Sequence, residues 1–203
     1  MRKQRWLILI GSTLVIGGAT LLGSYFWLRH QADEAQRGAQ QWLKGIGSPR
    51  PGVPMTRSPQ HRLRRGAVVG ELVVPRLHLA VMVFEGDDDG ILKVGAGHIP
   101  TTPLPLQGGN VGIAAHRDTY FRPLRLIRPN DAISFKTPTG TFHYTVTKTE
   151  IVHPSDIQVL ARSNQDLTLV TCYPFYYVGS APQRFIVQAR KAVSILRSGH
   201  PDA

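Results

Sequence analysis

The stretch Thr141-Phe142-His143-Tyr144-Thr145-Val146-Thr147 decides the fold class of this 203-residue chain. Its apolar side chains occupy every second position with polar side chains between them, which is the period of a half-buried β-strand. Pro138-Thr139-Gly140 comes directly before the stretch and predicts a tight turn. We therefore expect two paired antiparallel strands, one on either side of this turn.

The rest of the C-terminal two-thirds follows the same pattern, with apolar residues that alternate or run in short blocks bounded by turn residues. These blocks predict strands at residues 71–74, 77–84, 110–115, 132–136, 141–152, 167–172 and 184–189. Helical periodicity is scarce, and only residues 89–94 and 121–127 predict short helical turns. Seven or eight strands with few helices predict an all-β sandwich or closed barrel of about 125 residues.

An uncharged segment near the N-terminus predicts a membrane anchor. Residues 6–28 contain no charged side chain, and as a helix rising ~1.5 Å per residue they would extend about 34 Å, enough to cross a bilayer. Arg2, Lys3 and Arg5 precede the segment without any acidic residue, so the positive-inside rule keeps residues 1–5 in the cytoplasm and the rest of the chain outside. A cleaved signal peptide is the alternative, but its apolar region would span only ~7–15 residues and end in a small-x-small site.

The chain between the anchor and the strands is expected to be a linker, over residues 29–69. Its part at 45–66 is basic and contains four prolines and no acidic residue, which predicts an extended tether, while residues 32–43 could form a short helix. The folded domain is expected over 70–191, and a tail over 192–203.

The distribution of charge bears on the choice of partner. The chain carries a net charge of +11, but residues 66–191 hold twelve Lys and Arg against ten Asp and Glu, a net of +2. Most of the positive charge therefore lies outside the predicted domain. Nucleic acid is not expected as a partner, because binding its phosphates needs a basic surface on the folded domain.

Cys172 is the single cysteine, so an exported chain cannot form an internal disulfide. It is either an apolar filler or a reactive thiol, and its place at the end of a strand and the mouth of a loop favours the thiol. His116 closes the strand at 110–115 in the same way and could supply the base, although alone it could equally be an exposed or capping histidine.

Arg184 opens the strand that follows Cys172 along the chain. If the two strands pair as an antiparallel hairpin, Arg184 and Cys172 become neighbours. A guanidinium group in that place can donate hydrogen bonds to an oxyanion, whereas taken singly Arg184 could be an ordinary surface arginine.

Metal binding is a weak expectation. Glu85, Asp87, Asp88 and Asp89 carry the oxygen ligands that Ca²⁺ accepts, but their spacing does not match a Ca²⁺-binding loop. The sequence also lacks Cys and His at zinc spacing and a Gly-rich phosphate loop. We expect no metal and no cofactor, with Ca²⁺ as the alternative.

Three motifs resemble the sortase family. Thr168-Leu169-Val170-Thr171-Cys172 is similar to the TLxTC signature, Arg184 matches the family's arginine, and His116 in Ala115-His116-Arg117-Asp118-Thr119 falls at the histidine position. The order of the three residues and the N-terminal anchor also match, and the resemblance covers residues 70–191. The run from Cys172-Tyr173-Pro174-Phe175 to Gly179-Ser180-Ala181-Pro182 is most similar to class D sortases.

The resemblance implies a closed eight-stranded β-barrel and a cysteine transpeptidase that cleaves an LPxT-small sorting signal after threonine. Cys172 would be the nucleophile that forms an acyl-thioester, His116 the general acid and base, and Arg184 the group that binds substrate and oxyanion, with Thr171 as a second, lesser candidate for substrate binding. The implied partners are secreted proteins with a C-terminal sorting signal, an amine acceptor from a cell-wall precursor or another protein, and the membrane.

Two other functions remain open from the sequence. The chain could be a membrane-anchored binding module with an inert Cys172, or a cysteine peptidase that only hydrolyses the signal. L,D-transpeptidases are disfavoured because their Ser-His-Gly-Cys-type motif is missing from the sequence, and papain-like peptidases because they place Cys before His.

Overall fold

The computed structural model describes residues 2–45, 63–105, 107–161 and 166–192, with the backbone alone for 2–12 and 28. Within these residues the two α-helices are α1 (Arg2–Gly45) and α2 (Asp89–Val94). Short 3₁₀ helices cover Pro75–Leu77, Arg122–Leu126 and Ile157–Leu160. The strands are β1 (Val68–Val74), β2 (Leu79–Glu85), β3 (Ala96–His98), β4 (Val111–Ala114), β5 (Ala132–Thr137), β6 (Gly140–Val152), β7 (Asp166–Tyr173) and β8 (Gln183–Lys191).

The eight strands close into a barrel in the order β1-β2-β3-β4-β7-β8-β6-β5, and β5 pairs back onto β1. The pairs β2–β3 and β4–β7 are parallel, and the other six pairs are antiparallel. The expectation of a closed eight-stranded barrel is confirmed, and the sandwich is excluded. A barrel of this size has an interior just wide enough to be filled by side chains.

The apolar side chains of the alternating stretch at residues 141–147 point into that interior. Phe142, Tyr144 and Val146 are buried while their neighbours on β6 are exposed, and the turn before them joins β5 to β6 as predicted. Burying one such apolar side chain stabilises the fold by roughly 1.5–3 kcal/mol. Five strands each contribute a completely buried residue to the same core: Leu72, Ile113, Phe135, Leu169 and Val187.

One strand was not predicted, and the starts of two others differ from those expected by two residues or more. β3 was not predicted, because it is three residues long and contains Gly97, at which a Cβ would overlap the carbonyl oxygen of Gly86. Leu77 ends a 3₁₀ turn and His78 adopts a left-handed conformation with φ 49°, so β2 begins only at Leu79. β1 begins at Val68, which moves the start of the domain before residue 70.

The short helix considered for residues 32–43 is present as part of α1, which runs unbroken through residues 29–45 of the expected linker. This part packs on the barrel through the buried Ala39. Gln36 donates from Nε2 to the carbonyl oxygen of Val94 at 2.6 Å and accepts from the amide of Met82 at 2.8 Å. These tertiary contacts stabilise the helical part of the expected linker.

Several predicted segments cannot be compared with the structure. Residues 46–62 of the linker and 193–203 of the tail lie outside the described residues. Among the described residues, no helix is both long enough and apolar enough to cross a membrane, so the anchor expected over 6–28 is not supported.

Candidate active site

The first two residues of the candidate site meet between β7 and β8. Cys172 and Arg184 are direct partners in this antiparallel pair, which confirms the neighbourhood expected from the strand positions. Directly opposed residues project on the same side of a sheet, with Cβ atoms about 4.5–5.5 Å apart. Both residues are half-buried, and Cys172 is a free thiol. The thiol and the guanidinium group therefore share one partly open surface.

Strand β4 brings the third residue to the same end of the barrel. β4 runs parallel to β7 with Ala114 opposite Val170, and the amide of Ala115 donates to the carbonyl oxygen of Val170 at 3.2 Å. Following that register for two more residues brings the backbone of His116 level with that of Cys172. The sequence motifs thus converge on the ends of β4 and β7 and the start of β8.

Thr171 links the two strands that end near His116 and Cys172. Its side chain is buried, and the hydroxyl donates to the carbonyl oxygen of Ala115 at 2.7 Å. The hydroxyl is therefore engaged within the protein, and substrate binding by Thr171 stays a prediction. The bond ties the end of β4, directly before His116, to the residue directly before Cys172.

The side chain of His116 is partly exposed to solvent and has one distant acidic neighbour. Its side chain is 32% exposed, and Nε2 lies 3.9 Å from Oδ1 of Asp89, which is itself 76% exposed. At this length and exposure the ion pair contributes little, since solvent screens it. The imidazole can therefore exchange protons with solvent or with a bound substrate.

Arg184 already holds carbonyl oxygens, which shows what it can bind. Its Nη1 donates to the carbonyl oxygens of Ala181 and Gln183 at 3.3 and 3.1 Å. Both bonds lie at the long end of the normal range, and a guanidinium group has five N–H donors. The group can thus form further bonds with a peptide carbonyl beside Cys172.

The β7–β8 loop (residues 174–182) has two anchors that the sequence reasoning did not assign. At its base, Phe175 packs edge-on against Phe185 with ring centroids 5.2 Å apart and against Tyr173 at 6.1 Å. Further along, Arg117 donates from Nη2 to the carbonyl oxygens of Tyr177 and Gly179 at 2.7 and 3.0 Å. The aromatic run after Cys172 signalled the first anchor; the position beside His116 was the only hint of the second.

Two of the four acidic residues considered for Ca²⁺, Asp88 and Glu85, have partners of their own. Asp88 caps α2 and pairs with Arg65 at 2.6 Å, and this guanidinium holds the pKa of Asp88 well below its usual range. Glu85 is buried and its Oε2 lies 2.7 Å from Nδ1 of His98. The described residues contain no group of three or more metal-ligating side chains.

A half-buried thiol beside a guanidinium group, at the end of a closed barrel and level with a histidine, defines a site suited to acyl transfer. The sortase domain model matches residues 72–192, about 60% of the chain, and the protein belongs to the sortase family. Sortases are cysteine transpeptidases, so the chain is an enzyme of this type. A binding module with an inert cysteine is thereby excluded.

Similar proteins agree with this placement. Sortase D of Bacillus subtilis (strain 168) is 29% identical over 196 residues, which cover 94% of this chain and 99% of that protein. Sortase A of Listeria monocytogenes is 28% identical over 113 residues, 53% of this chain and 50% of that one. The solved structure of a Clostridium perfringens Sortase D5 transpeptidase shares the fold with a TM-score of 0.65 at 22% identity, and covers 79% of this chain and 99% of that one.

Proposed function

We propose that the enzyme cleaves an LPxT-small sorting signal after threonine and transfers the threonine acyl group to an amine. The pairing of Cys172 with Arg184 carries the proposal, because it sets a nucleophile beside a donor for the oxyanion. The TLxTC-type sequence that ends in Cys172 and the similarity to Sortase D over nearly the whole chain support the substrate class.

In the first half-reaction the Sγ thiolate of Cys172 attacks the threonine carbonyl carbon, and Arg184 hydrogen-bonds to the oxyanion. The bond from threonine to the small residue then breaks, and the imidazolium of His116 gives its proton to the leaving amine. An acyl-thioester on Cys172 remains.

In the second half-reaction an incoming amine attacks the thioester carbonyl, and His116 accepts a proton from it. The tetrahedral intermediate collapses, the C–S bond breaks, and the sulfur leaves as the thiolate that began the cycle. The thiol, imidazole and guanidinium groups supply every proton and charge that these steps need. We therefore propose that the enzyme uses no metal or organic cofactor, Ca²⁺ included.

The proposed donors are secreted proteins that end in a sorting signal, and the proposed acceptor is an amine of a cell-wall precursor or of another protein. The proposed location is the cell membrane, with residues 1–5 in the cytoplasm, 6–28 as the anchor and the barrel outside. In the described part of α1, exposed apolar side chains favour contact with lipid: Leu14, Val15, Ile16, Leu21 and Leu22.

The test is to incubate the full chain in detergent with an LPxT-small peptide and increasing concentrations of oligoglycine or hydroxylamine. Mass spectrometry should show the product moving from threonine acid to the amide or hydroxamate. His116→Ala should lose both products together, because His116 acts in both half-reactions. If only the acid forms across all amines, the enzyme works on this signal as a peptidase and the proposal fails.

A further inference from the structure

The β7–β8 loop begins two residues after Cys172 and has few hydrogen bonds of its own among the described residues. Tyr176 and Val178 at its tip are 77% and 94% exposed. Its internal hydrogen bond, from the amide of Tyr177 to the carbonyl oxygen of Pro174, is long at 3.3 Å. Exposed side chains and weak internal bonding leave the position of the tip to contacts from outside the loop.

Arg117 supplies such a contact from the neighbouring strand end. Besides its two hydrogen bonds to the carbonyl oxygens of Tyr177 and Gly179, its guanidinium carbon lies 5.9 Å from the centre of the Tyr177 ring. Hydrogen bonds from a charged donor are stronger than neutral ones, and a guanidinium group stacks favourably on an aromatic face. Arg117 therefore contacts both the backbone of the loop and the side chain of Tyr177.

The other terminal nitrogen of Arg117, Nη1, is buried. Nη1 is shielded from solvent and has no hydrogen-bond partner within the described part of the chain. Leaving a buried donor without a partner is unfavourable. The contacts made by Nη2 and by the ring must outweigh that cost for the group to stay beneath the loop.

Two guanidinium groups bind carbonyl oxygens of the loop and of the first residue of β8. The carbonyl oxygens of residues 177 and 179 accept from Arg117, and those of residues 181 and 183 accept from Arg184. Without Arg117, the tip of the loop loses its contact with the His116 side and can move toward Arg184, which bonds the loop only near its end, at Ala181. More carbonyl oxygens would then compete with substrate for the donors of Arg184.

We propose that Arg117 is a positioning residue that clamps the β7–β8 loop to the His116 side of the site and so keeps Arg184 available to substrate. The part concerning substrate rests on the proposed function. The part concerning the loop stands on the contacts alone, and the two can be measured separately.

Loop opening is measured by chymotrypsin, with mass spectrometry used to follow cleavage after Tyr176 and Tyr177 in the folded full chain. Arg117→Gln should be cut there at least about tenfold faster than wild type, since cleavage follows the population of the open loop. Arg117→Lys keeps the charge but not the planar fork, and should fall between the two. Arg125→Gln, an exposed change on the nearby 3₁₀ helix, should behave as wild type.

Catalysis is measured on the same proteins. Arg117→Gln should lower kcat/KM for the LPxT-small peptide at least about tenfold, while Cys172 is alkylated by iodoacetamide at the wild-type rate, because a small probe needs no help from Arg184. If Arg117 contributed only to general stability, its substitution would not lower kcat/KM while leaving the alkylation rate of Cys172 unchanged. Arg117→Lys should restore part of kcat/KM.

Wild-type cleavage of the loop, or unchanged kcat/KM, in Arg117→Gln would overturn the proposal. If Arg117→Gln does not fold, Arg117→Lys decides by the same two readouts. Should wild type fail to process the peptide at all, the proposed substrate is wrong; the clamp itself is then supported or overturned by the chymotrypsin result alone.

Discussion

Replacing Thr171 with Val tests whether the hydroxyl of this residue positions His116. The substitution keeps the shape of the side chain but removes the donor that lies 2.7 Å from the carbonyl oxygen of Ala115. A buried acceptor left without its donor costs about 1–3 kcal/mol of unfolding free energy. Each kcal/mol lowers Tm by about 2–8 °C in domains of roughly 60–250 residues. Because the lost bond lies directly before His116, kcat/KM should fall by about tenfold or more, as small misplacements of catalytic groups do.

Thr168 on the same strand provides a matched control. Its hydroxyl donates to Oδ1 of Asn110 at 3.0 Å, and both residues are buried. It lies three residues, about 10 Å, before Thr171 along β7. Thr168→Val should therefore lower Tm by a similar amount while leaving kcat/KM nearly unchanged at temperatures where both variants are folded.

The measurements are thermal unfolding by circular dichroism and peptide transpeptidation well below both Tm values. Thr171→Ser, which retains the hydroxyl, should recover most of the activity. If Thr171→Val keeps wild-type kcat/KM, or if Thr168→Val loses as much, the bond to Ala115 has no special part in positioning His116.

Four further predictions concern the site and its support. Cys172→Ala should abolish peptide turnover but leave Tm within a few degrees of wild type, and measurable turnover would refute the covalent mechanism. Arg184→Lys should lower kcat/KM severely, because a point charge lacks the planar fork; near-normal rates would mean that charge alone suffices. Arg76 hydrogen-bonds to Asp131 and lowers the pKa of that carboxyl, so Asp131→Asn should cost stability above roughly pH 4, and the difference from wild type in urea unfolding should vanish as the pH falls through the lowered pKa. Gln36→Leu should release α1 from the barrel, seen as faster hydrogen exchange over residues 29–45, whereas unchanged protection would show that the apolar contacts suffice.

Most strands of the barrel could be predicted from the sequence, because their apolar and polar side chains alternate and residues such as Pro and Gly mark the turns. The alternation over Phe142, Tyr144 and Val146 predicted a strand that the structure has, and Asp89–Val94 is the short helix expected there. β3 was not predicted, because it has only three residues and one of them is a glycine that close backbone contact requires. Periodicity cannot detect so short a strand.

The site was predictable where strand pairing alone determined it. Cys172 and Arg184 meet because the end of one strand and the start of the next are neighbours in any antiparallel pair. Arg117 was missed because its partners are backbone carbonyl oxygens in a loop, which no side-chain pattern encodes. The bond from Thr171 to Ala115 and the unbroken helix over residues 29–45 were not foreseen for a related reason, since both depend on tertiary contacts with distant parts of the chain.

The closed barrel limits how a peptide can be held. In the described part of the chain every strand has a hydrogen-bonded neighbour on both sides. Peptide-binding domains with an open sheet grip an extended ligand by letting it join the sheet as an extra strand, with affinity from main-chain hydrogen bonds. This barrel has no free edge to offer, so under the proposed function the peptide backbone would be recognised by side chains and loops at one end, with Arg184 as the first candidate. Selectivity can consequently change by substitution or exchange of those loops without disturbing the ladder of strands beneath.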